Sequence, residues 1–167
     1  MPANNPKDVF VTLMSEARNN TERTAQLYHE LSQTAQNPDV QETLEAQAFV
    51  TEKNLEALDR CFEIIGERPQ PTSGRMHDVF VEDLERELTE IPSPPAKHLF
   101  ILAKATQLAY LRYAEYITLV TAAEVTGHTV VGVLLESTLA DKAAFQERTQ
   151  CLIQNIIDGK MAAGMVA

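Results

Sequence analysis

Residues 37–66, NPDVQETLEAQAFVTEKNLEALDRCFEIIG, hold a complete helix with its start and stop signals. Asn37 is a residue type that caps a helix N-terminus. Pro38 suits the first turn, where its missing N–H leaves no hydrogen bond unmade. Leu44, Ala48, Thr51, Leu55, Leu58, Phe62 and Ile65 then recur at steps of three and four, which puts them on one face of a helix. Gly66 supplies a left-handed stop, and Pro69 lies just beyond it.

The same signals repeat on both sides of this stretch. Asn5-Pro6 opens a first helix whose stripe is Phe10, Leu13, Ala17, Thr21, Thr24, Leu27 and Leu31, running to about Gln36. The short connection to the next helix makes the two antiparallel. After a Pro-containing loop over residues 67–74, a shorter helix from about Met76 to Glu90 is predicted to turn Val79, Phe80 and Leu84 to one side. Ile91-Pro92-Ser93-Pro94-Pro95 ends it. A long helix from Pro94 to Thr126 presents Leu102, Ala105, Leu108, Ala109, Arg112, Tyr116, Leu119 and Ala123, with Gly127 as its stop. A last helix, Thr129 to about Asp158, carries Val131, Leu134, Leu135, Thr138, Phe145, Leu152 and Ile156.

Two antiparallel hairpins with a short helix between them define the expected fold. It is all-α, a ferritin-like antiparallel four-helix bundle with an additional short helix in the crossover. A single domain over 1–167 is expected, with its core at about 6–158 and a frayed tail over 159–167. The tetrapeptide Asp-Val-Phe-Val at 8–11 and 78–81 is a chance likeness of two helix starts.

Composition narrows the partners. A net charge of -10, from 24 acidic and 14 basic residues, disfavours nucleic acid and anionic membrane, which select clustered Lys and Arg. No window approaches the roughly 20 apolar residues of a membrane span, and residues 1–7 lack a basic segment followed by an apolar run. A cytoplasmic location is therefore expected. Cys61 and Cys151 form neither a C-x-x-C pair nor a disulfide framework and are expected to be buried free thiols. There is no G-x-S-x-G and no glycine-rich phosphate loop, so no catalytic constellation is assigned and an enzyme is not the favoured class.

With its helices in order, the chain resembles the YciE/YciF family of small bacterial ferritin-like proteins from Asp8 to about Ile157. The likeness is carried by Asp8-Val9-Phe10-Val11 with Leu13-Met14-Ser15, and by Leu55-Glu56-Ala57-Leu58-Asp59. It continues in Tyr116-x-Thr118-Leu119 with Gly127, and in Leu134-Leu135-Glu136-x-Thr138-Leu139. The resemblance implies a bundle that commonly holds two metal ions at its centre, often as a homodimer, in proteins associated with stress responses.

A di-iron centre of this type uses a Glu from each of two helices and a Glu-x-x-His pair from each of the other two. No Glu here is followed three residues later by His. Matching the segments puts Thr21, Phe49 with Glu52, Ala109 with Arg112, and Ala140 to Phe145 at the ligand positions. Only Glu22, Glu52 and Asp141 are left as remnant donors. No metal ligand and no cofactor are assigned; iron or manganese is the minority alternative. His29, His77, His98 and His128 are expected on the surface or at helix ends. The Tyr110, Tyr113 and Tyr116 cluster is expected to pack at a helix or dimer contact.

Arg112 on the inner seam would need a carboxylate, since an unpaired buried guanidinium is very costly. Its partners, with Lys142, are expected to be Glu52, Glu22 or Asp141; the competing expectation is that Arg112 lies beside the seam and reaches water. Three function classes follow. The first is a metal-free, stress-associated structural module acting as a homodimer or through an unidentified partner. The second is a di-iron oxidase with a carboxylate-only site. The third is a small-molecule carrier whose vacated centre is lined by Thr21, Thr24, Phe49, Thr51, Ala109, Tyr116 and Thr138.

Overall fold

The computed structural model describes residues 5–164, with side chains through residue 159. The described residues form five helices: α1 (Pro6–Thr34), α2 (Pro38–Ile65), α3 (Arg75–Glu90), α4 (Pro94–Val125) and α5 (Thr129–Gly164). No strand occurs among the described residues. Helix starts follow from the capping chemistry. Asn5 Oδ1 accepts from the Asp8 amide at 2.9 Å, and Asn37 Oδ1 accepts from the Asp39 and Val40 amides at 3.0 and 3.2 Å. Gly66, at φ 69°, closes α2 while the Glu67 amide donates back to the Phe62 carbonyl.

The four long helices pack cyclically, α1 on α2, α2 on α5, α5 on α4 and α4 on α1, and α3 lies against α4. Cross-links fix the directions. Arg18 pairs with Asp59 and His29 with Glu52, so α1 and α2 run antiparallel. Asn20 bonds Glu115 and the Gln36 amide donates to His98, which makes α1 and α4 antiparallel as well. The start of α3 is tied to α1 through Arg23, which donates to the Gly74 carbonyl and pairs with Asp78. Gly74 has φ 58°, in the left-handed region that favours glycine, and a Cβ there would displace the flexible end of Arg23.

Two apolar clusters fill the interior. One gathers Phe10, Met14, Leu58, Phe62, Leu119 and Leu135; the other gathers Leu31, Leu44, Leu84, Leu102, Leu108 and Phe145. On every long helix the residues between the clusters are polar and buried: Thr21 and Thr24, Thr51 and Asn54, Arg112, and Thr138 with Lys142.

Several expectations need correction. On α3 the inward face is His77, Phe80, Val81, Leu84 and Leu88, while Val79 is exposed. Three- and four-residue steps from Leu84 select 77, 80, 81 and 88 and leave 79 on the opposite side. His77 is consequently buried and not on the surface. Cys61 is buried, but Cys151 is exposed, because the α5 stripe through Leu152 and Ile156 passes beside it. Helix α5 continues past Asp158 to Gly164, through Lys160-Met161-Ala162-Ala163, which favour helix and contain no proline. Residues 1–4 of the expected domain and 165–167 of the expected tail lie outside the described residues.

Candidate functional site at the polar centre

The polar layer is organised around Arg112. Its position on α4 falls between Ala109 and Tyr116 on the buried seam, and its side chain is only 2% exposed. It does not reach water beside the seam. Arg112 Nη1 lies 2.9 Å from Glu115 Oε2, one turn along the same helix. The approach is close but not aligned for a hydrogen bond, and Nε, Nη1 and Nη2 all lack an acceptor. The other carboxylate oxygen of Glu115 accepts from Asn20 Nδ2 at 3.0 Å. Burial pulls the guanidinium below its ordinary range, while Glu115 partly restores it. Burial likewise pushes the Glu115 carboxyl up, against the opposing pull of Arg112 and of the Asn20 hydrogen bond.

Lys142 enters the layer from α5 at 3% exposure. Its ammonium sits 4.2 Å from the centroid of the Tyr116 ring, a cation–π contact. Among the described residues no carboxylate comes within ion-pairing distance of it. Its pKa is lowered to about 8, by burial first and then by the neighbouring Arg112, with Glu115 and Asp141 opposing both. The Tyr116 hydroxyl is 3.1 Å from Thr21 Oγ1, and the Tyr28 hydroxyl donates weakly to the Ala105 carbonyl at 3.4 Å. Burial raises both phenols well above the usual tyrosine range.

The residues expected at the centre divide into two groups. Thr21, Thr24, Thr51, Ala109, Tyr116 and Thr138 are buried together with Arg112 and Lys142. Phe49 is 58% exposed and does not line the centre, because the α2 stripe runs through 44, 48, 51 and 58. Glu22, Glu52 and Asp141 are exposed. Glu22 pairs with Arg18 on the outside of α1, and Glu52 with His29 across the α1–α2 surface. The partner of Arg112 is therefore Glu115, on its own helix, and not one of those three. An i,i+3 spacing made Glu115 a candidate, but a seam reading skips it. Tyr28, Asn54, Gln146 and Thr149 also belong to the buried set and were not singled out by spacing.

The remaining histidines behave variously. His98 accepts from the Gln36 amide, His128 stacks on Phe10 with ring centroids 5.5 Å apart, and His29 is on the surface. Buried His77 has its pKa lowered to about 4, by burial first and then by Arg23 and Arg112. Tyr110 is half exposed, and its hydroxyl accepts from Gln150 at 3.3 Å. Among the described residues, no three His, Cys, Asp or Glu side chains converge to hold a metal ion.

Comparison with known proteins agrees with this architecture. The E. coli stress protein YciF superposes with a TM-score of 0.87 at 20% identity, covering 93% of this chain and 98% of that one. YcfI of Rhodopseudomonas palustris gives 0.85 at 20% identity, covering 89% and 95%. A Xanthomonas campestris protein gives 0.73 at 14% identity, covering 96% and 98%. No curated protein sequence matches. Residues 5–162 match the family described as "Domain of unknown function (DUF892)". The chain thus belongs to that family, and is of the YciF type.

Proposed function

We propose that this chain is a ferritin-like antiparallel four-helix bundle, with α3 in its crossover, whose centre is built on buried organic cations in place of a metal. In this reading it acts as a stress-associated structural or binding module and not as an oxidase. One observation carries the reading: Arg112 and Lys142, each at most 3% exposed, lie at the level where a di-metal centre would need at least four carboxylates, and among the described residues only Glu115, at 21% exposure, comes within ion-pairing distance of either. A divalent ion added there would meet two fixed positive charges in a low-dielectric interior. The donor set therefore does not fit the di-metal centre that the family resemblance implies. The stress association rests on the name given to E. coli YciF.

Self-association as a dimer belongs to the same reading. The exposed valines Val125, Val130 and Val133 around the α4–α5 turn favour it, since grouped apolar side chains are uncommon on a monomer's surface. Light scattering on the purified chain checks the mass.

The direct test is aerobic loading with ferrous iron, followed by desalting and elemental analysis. The expected result is no retained iron and no oxygen consumption above a protein-free control. Stoichiometric iron that survives desalting would overturn the proposal and return Glu115 and the exposed carboxylates Glu22, Glu52 and Asp141 to the list of ligands.

A further inference from the structure

The polar centre holds many donors and few acceptors. Arg112 Nε, Nη1 and Nη2, Asn54 Nδ2 and Gln146 Nε2 are buried with no hydrogen-bond partner. Lys142 adds an ammonium that lies over the face of the Tyr116 ring. On the acceptor side, one oxygen of Glu115 is taken by Asn20, and the other sits out of line with Arg112. The hydroxyls of Thr51, Thr138 and Thr149 already donate to carbonyls of their own helix. Buried donors left without acceptors are rare in native proteins, and each is expensive. The charges are equally unbalanced: two buried cations face one carboxylate that burial drives toward its neutral form.

What such a centre lacks is an acceptor-rich group with negative charge. We infer that the centre of the four long helices is a binding site for a small oxyanion, a carboxylate or an inorganic phosphate, held between the Arg112 guanidinium and the Lys142 ammonium. Arg112 supplies a planar fork suited to two oxygens, and Lys142 supplies a point charge from the facing helix. Thr24 and Gln146, each with a buried side-chain atom unpartnered, stand one turn from Tyr28 and Lys142 on their helices and offer further donors. Ala105, Ala109, Thr21 and Thr138 contribute small side chains to the layer, and Tyr28 and Tyr116 fill much of the rest. Asn20, which is hydrogen-bonded to Glu115, also lines a surface cavity of about 140 Å³ with Glu16 and residues 72–76.

This inference rests on the metal-free reading of the same centre, and the two fail separately. Iron retention would sink the metal-free reading; the absence of both iron and anion binding would sink only this one. The test follows the melting temperature of the intact chain as inorganic phosphate or sodium acetate is added, against sodium chloride at matched ionic strength. A ligand that binds only the folded state raises the melting point with the logarithm of its concentration once that exceeds the dissociation constant. The expected result is a rise of several degrees that grows with the logarithm of concentration for at least one oxyanion, absent in chloride and lost in Lys142→Met. A rise with phosphate alone identifies the tetrahedral anion as the source, and a rise with acetate identifies the carboxylate. No rise in the wild-type chain would overturn the inference. So would an equal rise in chloride, or a rise that survives in a folded Lys142→Met variant. If Lys142→Met does not fold, Gln146→Leu serves as the second variant, with a weakened rise expected and an unchanged one contradicting the site.

Discussion

At one end of the core, Phe10, Met14, Leu58 and Leu119 pack at no more than 1% exposure; a few turns away, at the same depth, lie Arg112 and Lys142. The apolar end gains stability from every buried methylene. The polar layer loses solvation of two cations and recovers part of it through one ion pair, one cation–π contact and a handful of hydrogen bonds. Buried pairs of this kind often stabilise less than well-packed hydrocarbons of the same volume would. The difference suggests a division of labour, in which the ends hold the fold and the middle is kept for a chemical purpose.

That division can be broken at either region. Glu115→Ala, which strips Arg112 of its ion-pair partner among the described residues, should cost about 3–5 kcal/mol in urea denaturation. A loss below about 1 kcal/mol would mean that water already reaches the guanidinium. At the apolar end, Leu58→Ala should cost about 3 kcal/mol by the same measurement, through lost burial and a residual cavity.

The polar layer should also leave a signature in pH. Lys142 has its pKa lowered to about 8 from an ordinary 10.5, so between pH 8 and 9 the folded chain releases a proton that the unfolded chain keeps. The unfolded state then binds more protons, and stability should rise with pH, by about 1 kcal/mol over that unit. Above pH 9 the trend is opposed by Cys61, pushed up to about 11 by burial, and above pH 10 by Tyr28 and Tyr116. Subtracting the profile of Lys142→Met isolates the lysine; a flat difference curve would show that its ammonium is solvated. The smallest effect belongs to the surface. Arg60→Ala, which removes an exposed ion pair with Glu63, should change stability by less than about 0.5 kcal/mol.

How legible each region was follows from the same contrast. Along α4 the three-four spacing selects Leu102, Ala105, Leu108, Ala109, Arg112, Tyr116, Leu119 and Ala123, and all are buried. The spacing works there because most of those positions are apolar or small. Along α5 it picks out Val131, Leu135 and Phe145 but passes over Lys142, Gln146 and Thr149, which occupy the same inner face. Hydropathy assigns such residues to water; Lys142 was placed at the centre only by matching segments to the family, and Gln146 and Thr149 not at all. His77 was misplaced for a related reason: a short helix beside a Pro-containing loop gives few apolar positions from which to fix its inward side. Glu115 was missed because it sits beside the seam and reaches inward only through its side chain, at 21% exposure. Patterns of apolar residues thus reveal where helices pack, while a polar interior is visible only once the neighbours of each charge are known.

The central claim is that a cationic pair occupies the middle of the fold. It is tested most directly by following the Lys142 side chain through a pH titration by heteronuclear NMR, assigned with the Lys142→Met variant. A midpoint near 8 is the result expected of an ammonium buried beside Arg112. A midpoint near the ordinary 10.5 would place Lys142 in water and contradict the account.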